Sequence, residues 1–130
     1  MSEGTVNNAL AVLEYHHAVV TVRACCKAVE GLNQRRFKIS GTKGTAELSP
    51  VERFDGQPLT MNLTLLEGNG EYSAGSHVVD LGIRRDRYRD QLLELAAILR
   101  GEMENPYTYE HDYRVQEAVL AASGLTEWKK

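Results

Sequence analysis

Leu59-Thr60-Met61-Asn62-Leu63-Thr64-Leu65 is the stretch that decides the fold class of this chain. Leucine or methionine stands at every odd position and a small polar residue at every even one. Side chains on a strand alternate between the two faces of a sheet. Leu59, Met61, Leu63 and Leu65 are therefore predicted to share a buried face, with Thr60, Asn62 and Thr64 on the other. Working outward, Arg36-Phe37-Lys38-Ile39-Ser40 alternates in the same way, and Gly41-Thr42-Lys43-Gly44 turns the chain into Thr45-Ala46-Glu47-Leu48, which Pro50 closes. Upstream, Ala9–Tyr15 and Ala18–Cys25 are runs rich in Val, Leu and Ala, joined by His16-His17 as a two-residue hairpin loop. Downstream, Gly68-Asn69-Gly70 is a turn by composition, and His77–Ile83 reads as the last strand. Six strands joined by short links imply antiparallel pairing, because parallel neighbours need crossovers of about a dozen residues.

Beyond residue 83 the period changes. From Asp86 onward, Tyr88, Leu92, Leu95, Ala96 and Leu99 make one apolar stripe at helical spacing, and Gly101 stands where a C-terminal stop belongs. Asn105-Pro106 breaks the chain. A second helix is predicted from about Tyr109 to Ser123, with Tyr113, Val115, Ala118, Val119 and Ala122 inward and Gly124 ending it. The expected architecture is α+β: one domain over residues 1–130, a predominantly antiparallel open sheet of about six strands, then two helices packed on one face.

The bulk numbers narrow the function classes. A chain of 130 residues, 42% hydrophobic and 25% charged, has the length and composition of one folded domain. A net charge of −3 gives no reason to expect nucleic acid as a partner. No apolar run approaches the roughly 18 residues of a membrane helix, and the first residues lack the basic start and apolar stretch of a leader. A cytoplasmic location and no membrane partner are expected. Cys25 and Cys26 are adjacent, which suits neither a disulfide framework nor a CxxC motif, and they read as two free thiols on a short buried strand.

Several clusters invite a chemical reading. His77 and Asp80 have HxxD spacing, which shares a face on a helix but not on a strand, and Val78-Val79 favour a strand. Gly41-Thr42-Lys43-Gly44-Thr45 has the residue types of a phosphate loop, yet only two residues separate its glycines and a strand follows, so it reads as a hairpin turn. His16-His17 offers two imidazoles, but neighbours on a tight turn are expected to point apart and no third ligand lies nearby; no metal is expected. Arg84, Arg85, Arg87 and Arg89 stand with Asp86 and Asp90 around the first helix start, a mixed-charge cluster that suits a solvated face better than an anion or partner site. Glu110-His111-Asp112 could tune a proton donor, although acidic groups in a first turn are also what helix electrostatics favour. Trp128 reads as an edge contact or part of the tail.

The landmarks taken in order resemble one family. They are Asn8-Ala9-Leu10-Ala11-Val12-Leu13-Glu14-Tyr15, then Arg36 through Leu48, Tyr88-Arg89-Asp90-Gln91-Leu92 and Ile98-Leu99-Arg100-Gly101-Glu102. Asn105-Pro106 through His111-Asp112 and Gln116 through Gly124 complete the series. Together they are similar to the C-terminal domain of the glucose–fructose oxidoreductase/inositol dehydrogenase (Gfo/Idh/MocA) family of NAD(P)-dependent oxidoreductases, over about residues 8 to 124. The resemblance implies a substrate-side and oligomerisation domain of a sugar- or polyol-type enzyme. It would self-associate through its open sheet face and work with a nucleotide-binding domain. No GxGxxG occurs here, so NAD or NADP is implied only for the full-length enzyme, and no catalytic or cofactor-binding residue is assigned to this chain. His77, Tyr88 and His111 are the candidate substrate-side residues, although the resemblance places Glu110-His111-Asp112 in the domain's structural C-terminal helix. The alternative is a free-standing dimeric binding or scaffold module; a small enzyme with its own site at His77 or His111 is a third reading.

Overall fold

The computed structural model describes residues 8–84 and 86–128. The elements follow in the order β1 (Asn8–Tyr15), β2 (Ala18–Cys25), α1 (Gly31–Gln34), β3 (Phe37–Ser40), β4 (Gly44–Leu48), β5 (Thr60–Leu65), β6 (Gly75–Asp80), α2 (Arg89–Leu99) and α3 (Tyr109–Ala122). The α+β class, the six strands and the two long helices are those expected. The single sheet is not. Instead of one open sheet of six strands, β1 and β2 form a two-stranded sheet, and β3-β4-β5-β6 form a four-stranded antiparallel meander. The chain divides into two units, one of Met1–Ala28 with Glu94–Lys130 and one of Val29–Leu93.

The second unit is built on the alternation of β5. Its register sets Phe37, Leu48, Met61 and Val79 in one row and Ile39, Ala46, Leu63 and His77 in the next. Residues directly opposite on neighbouring strands share a face, so both rows lie on one apolar face. The intervening rows, Lys38-Glu47-Asn62-Val78 and Ser40-Thr45-Thr64-Ser76, make the other face polar. There Lys38 and Arg36 pair with Glu47 at 3.6 and 3.7 Å, and Thr64 Oγ1 lies 3.2 Å from Ser76 Oγ. The apolar face is only partly covered. Leu59 is the one hydrophobic residue buried below a tenth of its surface among the described residues, while Phe37 and Ile39 on the edge strand stay more than half exposed.

Two boundaries shift for local reasons. The last strand starts earlier than expected, at Gly75, and stops at Asp80, where the Asp80 carboxylate accepts the N–H of Gly82 at 2.7 Å and bends the chain away. Helix α2 begins at Arg89 because Asp86 Oδ1 accepts the N–H groups of Tyr88 and Arg89, at 2.7 and 3.2 Å. Its end and that of α3 obey the glycine rule. Gly101 and Gly124 have φ of 71° and 70°, and Glu102 and Leu125 each donate five residues back, to the carbonyls of Ala97 and Leu120.

In the first unit, His16-His17 is the two-residue loop of the β1-β2 hairpin. The two imidazoles do not diverge as expected; they stack at 4.0 Å between centroids. Register makes one hairpin face wholly apolar, with Ala9 opposite Ala24, Ala11 opposite Val22, Leu13 opposite Val20 and Tyr15 opposite Ala18. Ala9, Ala11 and Leu13 are half-buried, and α3 is the element that meets β1. The cysteines differ from expectation as well, both being exposed. Cys25 is the last strand residue, opposite Asn8, and Cys26 has already left the sheet in a turn, so neither thiol is drawn into a core.

Candidate functional site

His77 lies on β6 and faces the apolar side of the sheet, opposite Leu63. Its Nε2 donates to the Ser73 carbonyl at 2.8 Å, and the Tyr72 ring stands 5.4 Å away. Lost hydration, with the Glu71 carboxylate adding to it, pushes the Tyr72 phenol above its ordinary value. Asp80 is three residues on along the strand, on the opposite face, with its carboxylate committed to Gly82. HxxD is therefore two separate structural contacts here. Tyr88 precedes α2, exposed, with the Arg87 guanidinium 5.8 Å from its ring. No hydrogen bond or ring contact joins Tyr88 to His77 among the described residues.

His111 belongs to the first unit, in the first turn of α3. Thr108 caps that helix, its hydroxyl accepting the His111 N–H at 3.1 Å, and the Tyr107 ring is 5.3 Å from the imidazole. Glu110 is paired with Arg114 at 2.8 Å. The cluster at 110–112 thus serves the helix end. The Gly41–Gly44 segment is a hairpin turn, closed by Gly41 N–H donating to the Gly44 carbonyl at 2.8 Å.

The built concavity of the second unit lies elsewhere, at one end of the four-stranded sheet. It is a half-open groove of about 310 Å³ over an apolar floor that includes Leu48, Val51, Leu59 and Leu81, with the Phe54 ring on its wall. Charged side chains form the rim, and each arginine there is committed to a carboxylate. Arg87 pairs with Glu52, which also accepts from Arg35 at 3.3 Å. Arg84 pairs with Asp90 at 3.2 Å. Arg53 grips Asp55 through two bonds of 3.2 and 2.7 Å. That grip, followed by the Gln57 N–H, pushes the Asp55 carboxyl down to about 2. The Arg87 guanidinium is held above its ordinary value, first by its hydrogen bond with Tyr88 and then by Glu52. It also sits 5.6 Å over the Phe54 ring. A second concavity of about 440 Å³ adjoins it, sharing Leu81, Arg84 and Asp86.

An aromatic ring over an apolar floor, rimmed by arginines that are each already held by a carboxylate, suits a neutral ligand with several hydroxyls. The ring takes C–H faces, and the paired ions offer donors and acceptors side by side. A lone anion would have to displace a carboxylate from each arginine it approached. Of the residues expected on the substrate side, only Tyr88 stands beside this rim, through Arg87. Glu52, Phe54 and Arg35 carry no signal in the sequence, since Glu52 and Arg87 are far apart along the chain and neither belongs to a motif. No family model matches the chain, and no curated protein or solved structure does so either.

Proposed function

We propose that this chain is the substrate-side and assembly domain of an NAD(P)-dependent oxidoreductase acting on a sugar or polyol, inactive by itself. The observation that carries the reading is the charge-paired cavity around Phe54, whose chemistry suits a polyhydroxylated neutral substrate. The half-covered apolar sheet face, which bears His77 with the Tyr72 ring of the preceding loop beside it, supports a second domain or subunit completing the cleft. Rossmann-type dinucleotide binding uses a glycine-rich turn that lets backbone N–H groups approach a pyrophosphate, and no GxGxxG occurs in this sequence. On this reading a partner domain holds the nicotinamide cofactor, and this chain contributes a wall.

The test has two arms, both on the full chain. NADH and NADPH are titrated by calorimetry, where no binding tighter than about 10 μM, equivalent to about −7 kcal/mol, is expected. A cyclic polyol such as myo-inositol is then added to tens of millimolar while amide resonances are followed. Shifts at Phe54 and Leu81 are expected. Tight nucleotide binding, or no shift at those residues, would overturn the reading. The alternative, a free-standing dimeric binding or scaffold module, draws on the first hairpin, which offers a surface to a second copy without any cofactor domain. A coding frame upstream of Met1 that carries a strand and a glycine-rich turn favours the first reading, and a frame closed by stop codons favours the second.

A further inference from the structure

We infer that Asn69-Gly70 is a self-modification site, at which the backbone nitrogen of Gly70 attacks the Asn69 side-chain amide and leaves an isoaspartyl linkage in the loop beside His77. The inference goes beyond the proposed function and does not depend on it.

The loop between β5 and β6 folds tightly around Asn69. The Asn69 N–H donates to the Tyr72 carbonyl at 3.1 Å, and its Oδ1 accepts the N–H groups of Glu71 and Tyr72 at 3.1 and 2.8 Å. Gly68 packs so closely that a Cβ there would stand 3.1 Å from the Tyr72 carbonyl oxygen. Gly70 has φ of 94°, and nothing lies within 4 Å of where its Cβ would be. Both Asn69 and Gly70 are exposed, so water reaches them. Three features of this loop favour attack. Gly70 has no side chain to shield its nitrogen. Two N–H groups aim at Oδ1, the atom that gains negative charge when the amide carbon becomes tetrahedral, as donors in an oxyanion hole do. The same two bonds turn the side-chain amide forward along the chain, past the Gly70 nitrogen, rather than out into water.

The Gly70 nitrogen gives its proton to water and bonds to the Asn69 Cγ. The C–N bond of the side-chain amide breaks, and the amide nitrogen takes a proton from water and leaves as ammonia. Water then opens the resulting five-membered imide at either carbonyl, giving an ordinary aspartyl residue or an isoaspartyl linkage in which the chain runs through Cγ. Water is the only co-reactant, and nothing is oxidised or reduced. Asn105 makes the contrast. It forms a similar side-chain turn, with Oδ1 accepting the Tyr107 N–H at 3.0 Å, but Pro106 follows it, and a proline nitrogen has no proton to lose. Asn62 lies within β5, between paired strands. The two products differ in consequence. An aspartyl carboxylate still accepts both N–H groups. The isoaspartyl linkage lengthens the backbone by one carbon, which breaks the ring of bonds between residues 69 and 72 and moves Tyr72 away from His77, now 5.4 Å between rings. It also leaves a free α-carboxylate in the loop, a group that an isoaspartyl-specific carboxyl methyltransferase accepts.

Incubation of the full chain in mildly alkaline buffer, followed by peptide mapping with mass spectrometry, tests this. Isoaspartate is counted by its methylation with a carboxyl methyltransferase specific for it. Loss of the Asn69 amide is expected to run roughly tenfold faster than in a free peptide of residues 66–74, a small part of what preorganised oxyanion donors contribute in enzymes. It should quicken as pH rises, because the attacking nitrogen must lose its proton. Asn62 and Asn105 should stay intact over the same period. By NMR, the isoaspartyl fraction should lose the Tyr72–His77 ring contact, and Asn69→Asp should keep it. If Asn69→Asp itself disturbs the loop, Asn69→Ser supplies the reference spectrum, since its hydroxyl accepts the same N–H groups and forms no imide. A rate at or below that of the peptide would overturn the inference, because the fold would then be protecting the amide. So would deamidation without isoaspartate, or an isoaspartyl fraction in which Tyr72 has not moved. None of these results bears on nucleotide or polyol binding.

Discussion

Leu63 and Thr64 are neighbours in sequence and opposites in environment. Leu63 lies half-buried between Ala46 and His77 on the apolar face, and Thr64 is exposed on the polar face with one hydroxyl contact to Ser76. Truncating a leucine in a core costs about 2–5 kcal/mol. Leu63 retains some access to water, so Leu63→Ala is expected at the lower end, about 2 kcal/mol, by urea unfolding. Thr64→Ala removes one exposed hydrogen bond and is expected to cost less than about 1 kcal/mol. Equal losses would mean that the register is displaced by one residue, since such a slip exchanges the faces. The alternation was readable because burial on one face only leaves a period of two in the sequence. Glu52 was not readable. Its partners Arg35 and Arg87 are set by the path of the chain between strands, which no local pattern records.

At the level of elements, Gly44 governs how β4 meets β5. A Cβ placed there would stand 2.5 Å from the Thr64 carbonyl oxygen and 3.0 Å from a Leu65 methyl. Backbone cannot give way as a side chain can, so Gly44→Ala should push the two strands apart. Overpacking of this kind costs about 1–3 kcal/mol, and a lower melting temperature by calorimetry is the expected readout. An unchanged melting temperature would mean that the strands do not approach as closely. The sequence marked Gly44 as a turn residue, whereas it is the first residue of β4, paired with Leu65, and its close approach to the neighbouring strand was hidden. Short α1 was hidden too. It opens at Glu30 in the left-handed region, with φ of 52°, and spans only four residues, too few for a hydrophobic period to register. The long elements α2, α3, β1 and β2 were legible to within a few residues because stripes, stops and the two-residue loop agreed. Their division into two sheets was not, since the choice of a strand's neighbour is made by distant residues.

At the level of the whole molecule, the two units have unequal foundations. The second holds a four-stranded sheet with a continuous apolar face, whereas the first rests on a two-stranded hairpin met by α3. A lone hairpin is marginal in water, and three or more strands are needed for independent stability. The two should therefore unfold separately. Trp128, the single tryptophan, falls in the first unit, so its fluorescence should report a lower urea midpoint than the amides of β5 followed by NMR. Coincident midpoints would mean one cooperative molecule. Helix α2 gives that inequality a consequence. It runs unbroken for eleven residues, and the boundary between the units falls inside it, after Leu93. When the first unit opens, its half of the helix is released, and the residues from Arg89 to Leu93 are too few to offset the cost of helix nucleation. The turn around Leu93 then frays, which makes it the place where a protease would first find extended backbone to cut.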